Sequence, residues 1–259
     1  MDKEKETVTY TDRFQWLVKY IQYKLKRNQS ILTLWVGETG TGKSLSAISV
    51  AVQIDPNFSV DRIVFDTKSF LHLINSGLPR GSVVIYDDAG IGISNKDWFK
   101  EQVKVFGKVV QSYRFKQIVT FITTPDISFI ENQSRSLLNL LMQSDPIEQG
   151  TFYPKIPYKP RNYTLKSGNT YYVYPRFLVR DKKGGLVKVK LKRLHFALPP
   201  KEIIDAYEKK KEEYIDAYYR KAEAEIEKIM NPEPKHVMNP RSLKNLKQNK
   251  PKEENVIEG

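Results

Sequence analysis

The sequence contains no cysteine and only three histidines, at His72, His195 and His236. Without cysteine the chain has no disulfide, no thiol nucleophile and no thiolate metal site, and scattered histidines do not favour a histidine-rich metal site. The sequence also lacks any run of about 18 apolar residues, so we expect no transmembrane helix. Residues 1–12 are charged and include no apolar stretch, which predicts no signal peptide. These absences lead us to expect a cytoplasmic protein.

Acidic residues are scarce in one part of the chain. The 259 residues carry a formal net charge of +13, and residues 151–195 hold 12 lysines and arginines against a single acid, Asp181. A local excess of positive charge attracts polyanions such as nucleic acid or an anionic membrane. The hydrophobic fraction is 40%, which is enough for a folded core and excludes a wholly disordered chain.

Apolar runs and helical periodicities alternate along the first half of the chain. The β-prone runs are at 31–36, 62–66, 82–86 and 117–123, and the helical patterns are at 11–27, 45–52, 70–74, 96–114 and 127–142. Strands that alternate with helices favour parallel βαβ units. The pattern therefore predicts an α/β fold of three layers with a parallel central sheet.

The composition divides the chain into five predicted regions. They are an N-terminal tail and amphipathic helix (1–27), the α/β core (28–145), a basic, aromatic-rich β segment (146–198), a charged helix (199–230) and a disordered basic tail (231–259). In the β segment we expect strands at 169–173 and 186–194 around a hairpin turn at Gly184 and Gly185. In the charged helix, an apolar stripe predicts packing against the core or another subunit, and the charges predict a solvated face. The stripe consists of Ile203, Tyr207, Tyr214, Tyr218, Ala222 and Ile226.

A glycine-rich loop carries the clearest chemistry. Eight residues match the pattern G-x-x-x-x-G-K-[ST] in full: Gly37, Glu38, Thr39, Gly40, Thr41, Gly42, Lys43 and Ser44. Glycines let backbone N–H groups wrap around phosphates without obstruction by a Cβ atom, and the following helix directs its positive end at them. We predict that all eight residues bind a nucleoside triphosphate, that Lys43 reaches its β- and γ-phosphates, and that Ser44 ligates Mg²⁺.

A second motif, Val83–Asp88, places two carboxylates directly after a buried apolar strand. An acid at the end of such a strand can hold the Mg²⁺ shell opposite Ser44, and we assign Asp87 to this role. The alternative is that Asp87 and Asp88 simply end the strand in a turn, since aspartate favours turns.

The order of these motifs resembles the P-loop ATPases of the FtsK/HerA group, including zonula-occludens-toxin-like proteins and ATPases of archaeal viruses or plasmids. The resemblance covers about residues 30–145, and only the motifs Gly37–Ser44 and Val83–Asp88, which match the Walker A and Walker B motifs of these enzymes, are highly specific. It implies hydrolysis of ATP with Mg²⁺ by a ring-forming homo-oligomer that acts on DNA, in packaging, segregation, transfer or replication of a viral or plasmid genome. The residues that carry it are Gly37–Ser44, Val83–Asp88, Gln111–Arg114, Thr123–Pro125 and Arg135.

The resemblance also implies roles for single residues. Asp88 occupies the position of a glutamate that orients the attacking water in several ATPase families, although aspartate is one methylene shorter. Thr124 occupies a sensor position near the γ-phosphate, where related proteins often have glutamine. Arg114 or Arg135 is implied to stabilise the transition state on a neighbouring subunit, and the alternative for each is an ordinary surface arginine.

Lysines alternate with apolar residues along 187–192. In a strand this pattern places the lysines on one face, where they can follow a phosphate backbone. The alternative is a solvated edge strand that its lysines protect from aggregation. The predicted nucleic-acid contacts are Lys182, Lys183, Lys188, Lys190, Lys192 and Arg193.

Two other functions fit the same sequence. One is a nucleotide-dependent switch or loader that binds partner proteins. The other is a membrane-peripheral assembly or secretion ATPase, in which the basic segment contacts anionic lipid.

Overall fold

The computed structural model describes residues 10–88, 116–130, 135, 137–158, 171–180 and 184–231. The helices of this part are α1 (Tyr10–Lys26), α2 (Lys43–Ile54), α3 (Thr67–Asn75) and α4 (Lys201–Met230). The first five strands are β1 (Ile31–Val36), β2 (Ile63–Val64), β3 (Val83–Tyr86), β4 (Val119–Thr124) and β5 (Leu140–Ser144). The others are β6 (Thr151–Tyr158), β7 (Tyr171–Val173), β8 (Arg176–Arg180), β9 (Leu186–Lys190) and β10 (Leu194–His195).

Most of the strands form one sheet in the order β10-β6-β5-β1-β4-β3-β2, with β7 paired to β6. The neighbours from β5 to β2 are all parallel. Strands β6, β7 and β10 are antiparallel additions. Every residue of β1, β3 and β4 is buried, as expected for parallel strands covered on both faces. The α/β class with a mostly parallel central sheet is therefore confirmed, and strands of the basic segment extend that sheet.

Alternate residues of β1 belong to two hydrophobic cores, one on each face of the sheet, because successive side chains of a strand point to opposite faces. Trp35 packs edge-on against Phe121 and Phe152, with ring centroids 5.9 and 5.0 Å away. Residues of α1 and α2 close this core. Leu34 belongs to the core on the other face, which α3 closes through Phe70. Asp66 caps α3, since its carboxylate accepts a hydrogen bond from the amide of Ser69 at 2.9 Å.

The helix predicted over 127–142 is wrong at both ends of this range. A short 3₁₀ turn at Ile127–Phe129 begins this range and strand β5 ends it, Arg135 between them is helical, and residues 131–134 and 136 lie outside the described residues. Strand β5 lies parallel to β1, with Thr33 opposite Leu140 and Trp35 opposite Met142. A short, continuously apolar run fits a buried strand as well as a buried helix, so the pairing with β1 decides its conformation.

The predicted hairpin has a different partner strand. Strand β9 pairs with β8, a strand that the sequence pattern did not indicate, with Val189 opposite Phe177. The predicted strand near 169–173 is β7, and it pairs with β6 instead. The helix predicted over 96–114 lies outside the described residues, as do the ends of the chain, 1–9 and 232–259.

The chain divides into two compact units, Met1–Tyr214 and Ile215–Gly259. The first unit contains the sheet and the first half of α4, where Lys210 Nζ donates to the carbonyls of Val60 and Ile63, each at 2.8 Å. The second unit, as far as it is described, is the remainder of α4, with Ile229 and Met230 exposed. In the described part of the chain, none of the helices combines the length and apolarity needed to cross a membrane.

Candidate nucleotide-binding site

The glycine-rich loop joins β1 to α2 at the carboxyl edge of the parallel sheet. Gly40 and Gly42 both have φ of 85°, in the left-handed region that favours glycine. Gly37 lies against the end of the neighbouring strand β5, and a Cβ atom there would be 1.8 Å from Ser144 Oγ. Gly42 caps α2 without a side-chain hydrogen bond, so the first amides of the helix have no side-chain acceptor there. Such a helix end suits an anion.

The turn between β5 and β6 supports the loop from one side. Gln149 Nε2 donates to the Gly40 carbonyl at 2.8 Å, and the Gly150 amide donates to the Thr41 carbonyl at 3.1 Å. A Cβ atom at Gly42 would lie 3.1 Å from the Gly150 nitrogen. The close approach of the two backbones explains the glycine at position 42, whereas a Cβ atom at Gly150 would lie 3.3 Å from the Phe196 carbonyl oxygen.

Asp145 holds this supporting turn in place. Its carboxylate accepts hydrogen bonds from the Tyr153 hydroxyl at 2.7 Å and from the amides of Ile147 and Glu148 at 2.9 and 3.1 Å. These hydrogen bonds, that of Tyr153 foremost, lower the pKa of Asp145 to about 2. Arg193 Nη2 lies 3.0 Å from the same carboxylate and also pairs with Glu148. The structure therefore uses Arg193, a predicted nucleic-acid contact, in an ion-pair network beside the loop.

Lys43 and Ser44, at the start of α2, face the end of β3. Ser44 Oγ donates to Asp87 Oδ1 at 2.6 Å, and the Asp87 side chain is completely buried. Lys43 Nζ donates to the carbonyl of Glu38 at 2.8 Å. Burial lowers the pKa of Lys43, while the charges of Asp88 and Asp87 act in the opposite direction. The structure thus brings together the loop lysine, the loop serine and the first carboxylate after β3, as the sequence predicted.

Asp88 follows Asp87 with φ of 49°, in the left-handed region that aspartate tolerates better than most residues. Its amide donates to Thr123 Oγ1 at 2.7 Å, and Thr123 Oγ1 in turn donates to Asp87 Oδ1 at 2.7 Å. Strand β4 lies between β1 and β3, so its carboxyl end brings Thr123 next to the two aspartates. Asp88 thus lies at the site, and its role with water stays a prediction.

Two residues of α4 complete the site, and the sequence pattern indicated neither as a site residue. Tyr207 donates its hydroxyl to Asp87 Oδ2 at 2.7 Å. Lys211 Nζ lies 2.5 Å from Asp88 Oδ2, 3.4 Å from Asp87 Oδ2 and 3.1 Å from the Tyr207 hydroxyl. The sequence placed Tyr207 in a packing stripe and the charges of this helix on a solvated face. Their spacing of four residues puts both on one face of the helix, but no local pattern indicates the two aspartates as partners.

The charges at these two residues follow from their surroundings. Burial raises the pKa of the Tyr207 phenol, and the negative charge of Asp87 raises it further, so the hydroxyl keeps its proton. Burial disfavours the Lys211 ammonium, but Asp87, Tyr207 and Asp88 outweigh burial and raise its pKa above the ordinary value. The two aspartates therefore face two ammonium groups, those of Lys43 and Lys211.

The remaining predicted residues lie elsewhere or outside the described chain. Thr124 is buried next to Thr123, but its hydroxyl donates to the carbonyl of Asp126 at 3.2 Å. Arg135 Nε donates to the carbonyl of Ile130 at 2.7 Å. Arg114, Lys182 and Lys183 lie outside the described residues.

The described lysines of the β9 region are all exposed, but they do not all lie on the strand. Lys188 and Lys190 are exposed residues of β9, and Lys190 Nζ lies 5.7 Å from the ring centroid of Tyr174. Lys192 is exposed but follows the end of the strand, after the buried Leu191. Of the three lysines predicted to share one face of a strand, only Lys188 and Lys190 therefore lie on β9.

Comparison with known proteins gives weak similarities. No family model matches the chain. The chain is 24% identical over 160 residues to the uncharacterized protein B-251 of Sulfolobus spindle-shape virus 1, a match over 54% of this chain and 62% of that protein. The match therefore spans less than two thirds of the length of this relative.

Three solved structures match part of the chain. The N-terminal domain of zonular occludens toxin from Neisseria meningitidis is 16% identical, over 56% of this chain and 93% of that chain, with a TM-score of 0.33. A variant of Thermotoga maritima RuvB is 14% identical, over 53% and 46%, with a TM-score of 0.37. ATPases 2 and 3 of EssC from Geobacillus thermodenitrificans are 11% identical, over 74% and 45%, with a TM-score of 0.35. At these values, the assignment of a P-loop NTPase fold depends on the sheet and the glycine-rich loop of this chain.

Proposed function

We propose that this chain binds ATP with Mg²⁺ at Gly37–Ser44 and hydrolyses it to ADP and phosphate. The observation that carries the proposal is the convergence of Lys43, Ser44, Asp87 and Asp88 at one edge of the parallel sheet. Ligands of open α/β sheets bind outside the carboxyl ends of the strands, and these residues lie at that edge.

The residues fit a magnesium–nucleotide complex. The Ser44 hydroxyl and the Asp87 carboxylate lie 2.6 Å apart, and such hard oxygen atoms are the ligands that Mg²⁺ prefers. The backbone of Gly40 and Gly42 and the uncapped start of α2 provide amides for the phosphates. When bound, Mg²⁺ supplies positive charge that stabilises the negative charge on the terminal phosphates.

The side chains of this chain do the remaining work by position and charge. Lys43 exchanges its hydrogen bond to the Glu38 carbonyl for the β- and γ-phosphates. Asp88 orients a water molecule for in-line attack on the terminal phosphoryl group. Thr123 and Tyr207 fix the orientation of the Asp87 carboxylate, because they donate to its two different oxygens. Lys211 compensates the charge of both aspartates.

We further propose a DNA motor of the FtsK/HerA-like type that works as a homo-oligomer, with Arg135 or Arg114 acting on the nucleotide of a neighbouring subunit. The excess of positive charge in residues 151–195 and the similarity to a viral protein support this proposal. Such a motor would act in packaging, segregation, transfer or replication of a viral or plasmid genome.

A nucleotide-dependent switch is the second candidate, and one observation favours it. Helix α4 contacts Asp87 and Asp88 through Tyr207 and Lys211 and continues to Met230. Binding or hydrolysis of nucleotide would change the charge at the two aspartates. This change would act directly on α4, a helix that partner proteins can bind.

The test is ATP turnover by the full chain and by Lys43→Ala. We expect the variant to lose turnover while its circular dichroism spectrum stays that of the wild type, and the exposed Lys68→Ala to turn over normally. Full turnover in Lys43→Ala would refute the assignment of this site. Stimulation of the wild type by DNA supports the motor, whereas no stimulation and no salt-sensitive DNA binding would favour the switch.

A further inference from the structure

A groove lies between α1 and the β8–β9 hairpin, away from the nucleotide-binding loop in sequence. Its volume is about 950 Å³, at the upper end of the range for ligand-binding clefts. Aromatic, basic and aliphatic side chains line it in the described part of the chain. They are Trp16, Lys19, Tyr20, Tyr23, Arg176, Phe177, Leu178 and Lys188.

The wall formed by α1 is aromatic. Trp16, Tyr20 and Tyr23 follow one another at helical spacing and therefore lie on one face of the helix. The rings of Trp16 and Tyr20 are stacked, with centroids 5.3 Å apart and an interplanar angle of 15°. The Tyr23 side chain is 53% exposed.

The groove is also positively charged. Lys19 contributes from α1, and Arg176 and Lys188 contribute from the hairpin. Lys24 and Arg27 lie over the rings of Tyr20 and Tyr23, at 5.7 and 5.5 Å from their centroids. None of the described residues that line the groove is acidic. Aromatic platforms combined with positive charge are the features that bind single-stranded nucleic acid without regard to sequence.

We infer that this groove binds single-stranded nucleic acid, with a base stacked on the exposed ring of Tyr23, beside the Trp16–Tyr20 pair, and phosphates held by Lys19, Arg176 and Lys188. The inference rests on the proposed action on DNA and adds the type of strand and the place where it binds. A single strand fits better than a duplex because its bases are free to stack on side chains. It fits better than a membrane because the rings line a concave groove.

The test is fluorescence anisotropy with a labelled dT15 oligonucleotide and with a duplex of the same length. The wild type binds dT15 more tightly than the duplex. Tyr23→Ala weakens binding of dT15 at least about fivefold, the loss expected for one stacking ring. Its matched control is Tyr171→Ala, since Tyr171 on β7 is 50% exposed but lies outside the groove. The control binds within twofold of the wild type.

The charge of the groove is tested by salt dependence. Each phosphate contact to a single strand contributes about 0.7 to the slope of log K against log salt concentration. Lys188→Ala reduces that slope by about 0.7, whereas Lys68→Ala, at an exposed lysine of α3 outside the groove, leaves it unchanged. Melting temperatures of all four variants verify that they fold.

Three results would overturn the inference: equal affinity for duplex and single strand, equal effects of the groove and control variants, or binding to anionic phospholipid vesicles in place of dT15. These results are separable from the proposed function, because ATP turnover by the wild type and Lys43→Ala is measured in parallel. If turnover depends on Lys43 but the groove variants bind dT15 as tightly as the wild type, only the groove assignment is wrong. If turnover does not depend on Lys43 and the groove variants still bind dT15 more weakly than the wild type, the nucleotide-site assignment is wrong instead.

Discussion

Replacing Lys211 by methionine removes the cation between Asp87 and Asp88 but keeps most of the length of the side chain. In the wild type, Lys211 Nζ lies 3.4 Å from the completely buried carboxylate of Asp87 and 2.5 Å from that of Asp88. Loss of one partner of a buried ion pair leaves uncompensated charge and costs about 3–5 kcal/mol. Because the Lys211 side chain is 29% exposed, solvent screens part of this cost, and we expect about 3 kcal/mol at the lower end of that range.

The assay is thermal unfolding without nucleotide. For a domain of 150–250 residues, 1 kcal/mol shifts Tm by about 2–4 °C, so Lys211→Met should melt about 6–12 °C below the wild type. The matched control is Lys209→Met, since Lys209 is an exposed lysine of the same helix; its Tm should change by less than 2 °C. A Tm for Lys211→Met within 2 °C of the wild type would refute the charge-compensation argument.

Nucleotide provides a second measurement on the same variant. A bound Mg²⁺ ion replaces part of the missing positive charge near Asp87, so the Tm difference between Lys211→Met and the wild type should shrink when Mg²⁺ and ADP are saturating. If the difference stays the same, Lys211 and the metal do not share the charge of Asp87.

Three further predictions concern the loop, strand β4 and the supporting turn. Gly37→Ala places a Cβ atom 1.8 Å from Ser144 Oγ and should weaken nucleotide binding at least about tenfold in a fluorescent-nucleotide titration. Adding Ser144→Gly to this variant should restore part of the nucleotide affinity. If it restores none, the contact with Ser144 is not the cause of the loss. Thr123→Val removes the hydroxyl that bridges Asp87 and the Asp88 amide. It should lower ATP turnover at least about tenfold, since a hydrogen bond to a charged group contributes about 1.5 kcal/mol or more, and it should lower turnover more than Thr124→Val does. The reverse ranking would favour the predicted sensor role of Thr124. Asp145, whose pKa is lowered to about 2, stabilises the fold fully above about pH 3.9, its unfolded value, and this contribution is lost as the pH falls towards 2. Between pH 5 and pH 2 the Tm of Asp145→Asn should therefore fall less than that of the wild type, and parallel curves would contradict the assignment.

The sequence alone determined the features that depend on residues close together in the chain. Gly37–Ser44 predicts its own loop conformation and its ligand, because the glycines, the lysine and the hydroxyl act within one turn and the start of one helix. The strands ending at Val36 and Tyr86 are short, buried runs with clear boundaries, and the carboxylate after the second one lies beside Ser44 as expected. The domain limits and the roles of Arg114 and Arg135 stay predictions.

Tertiary structure decided everything that depends on which distant segment lies alongside. The run Leu140–Met142 is apolar enough for a helix or a strand, and the edge of β1 makes it a strand. The charge of Arg193 suggests a nucleic-acid contact in the sequence, but Asp145 and Glu148 pair with it in the fold. Tyr207 and Lys211 are more than 100 residues from Asp87 and Asp88 in the chain, and their periodicity reports only that they share a helix face. The packing of α4 against the sheet decides which carboxylate each of these side chains contacts. The spacing of residues within α4 does not predict that contact.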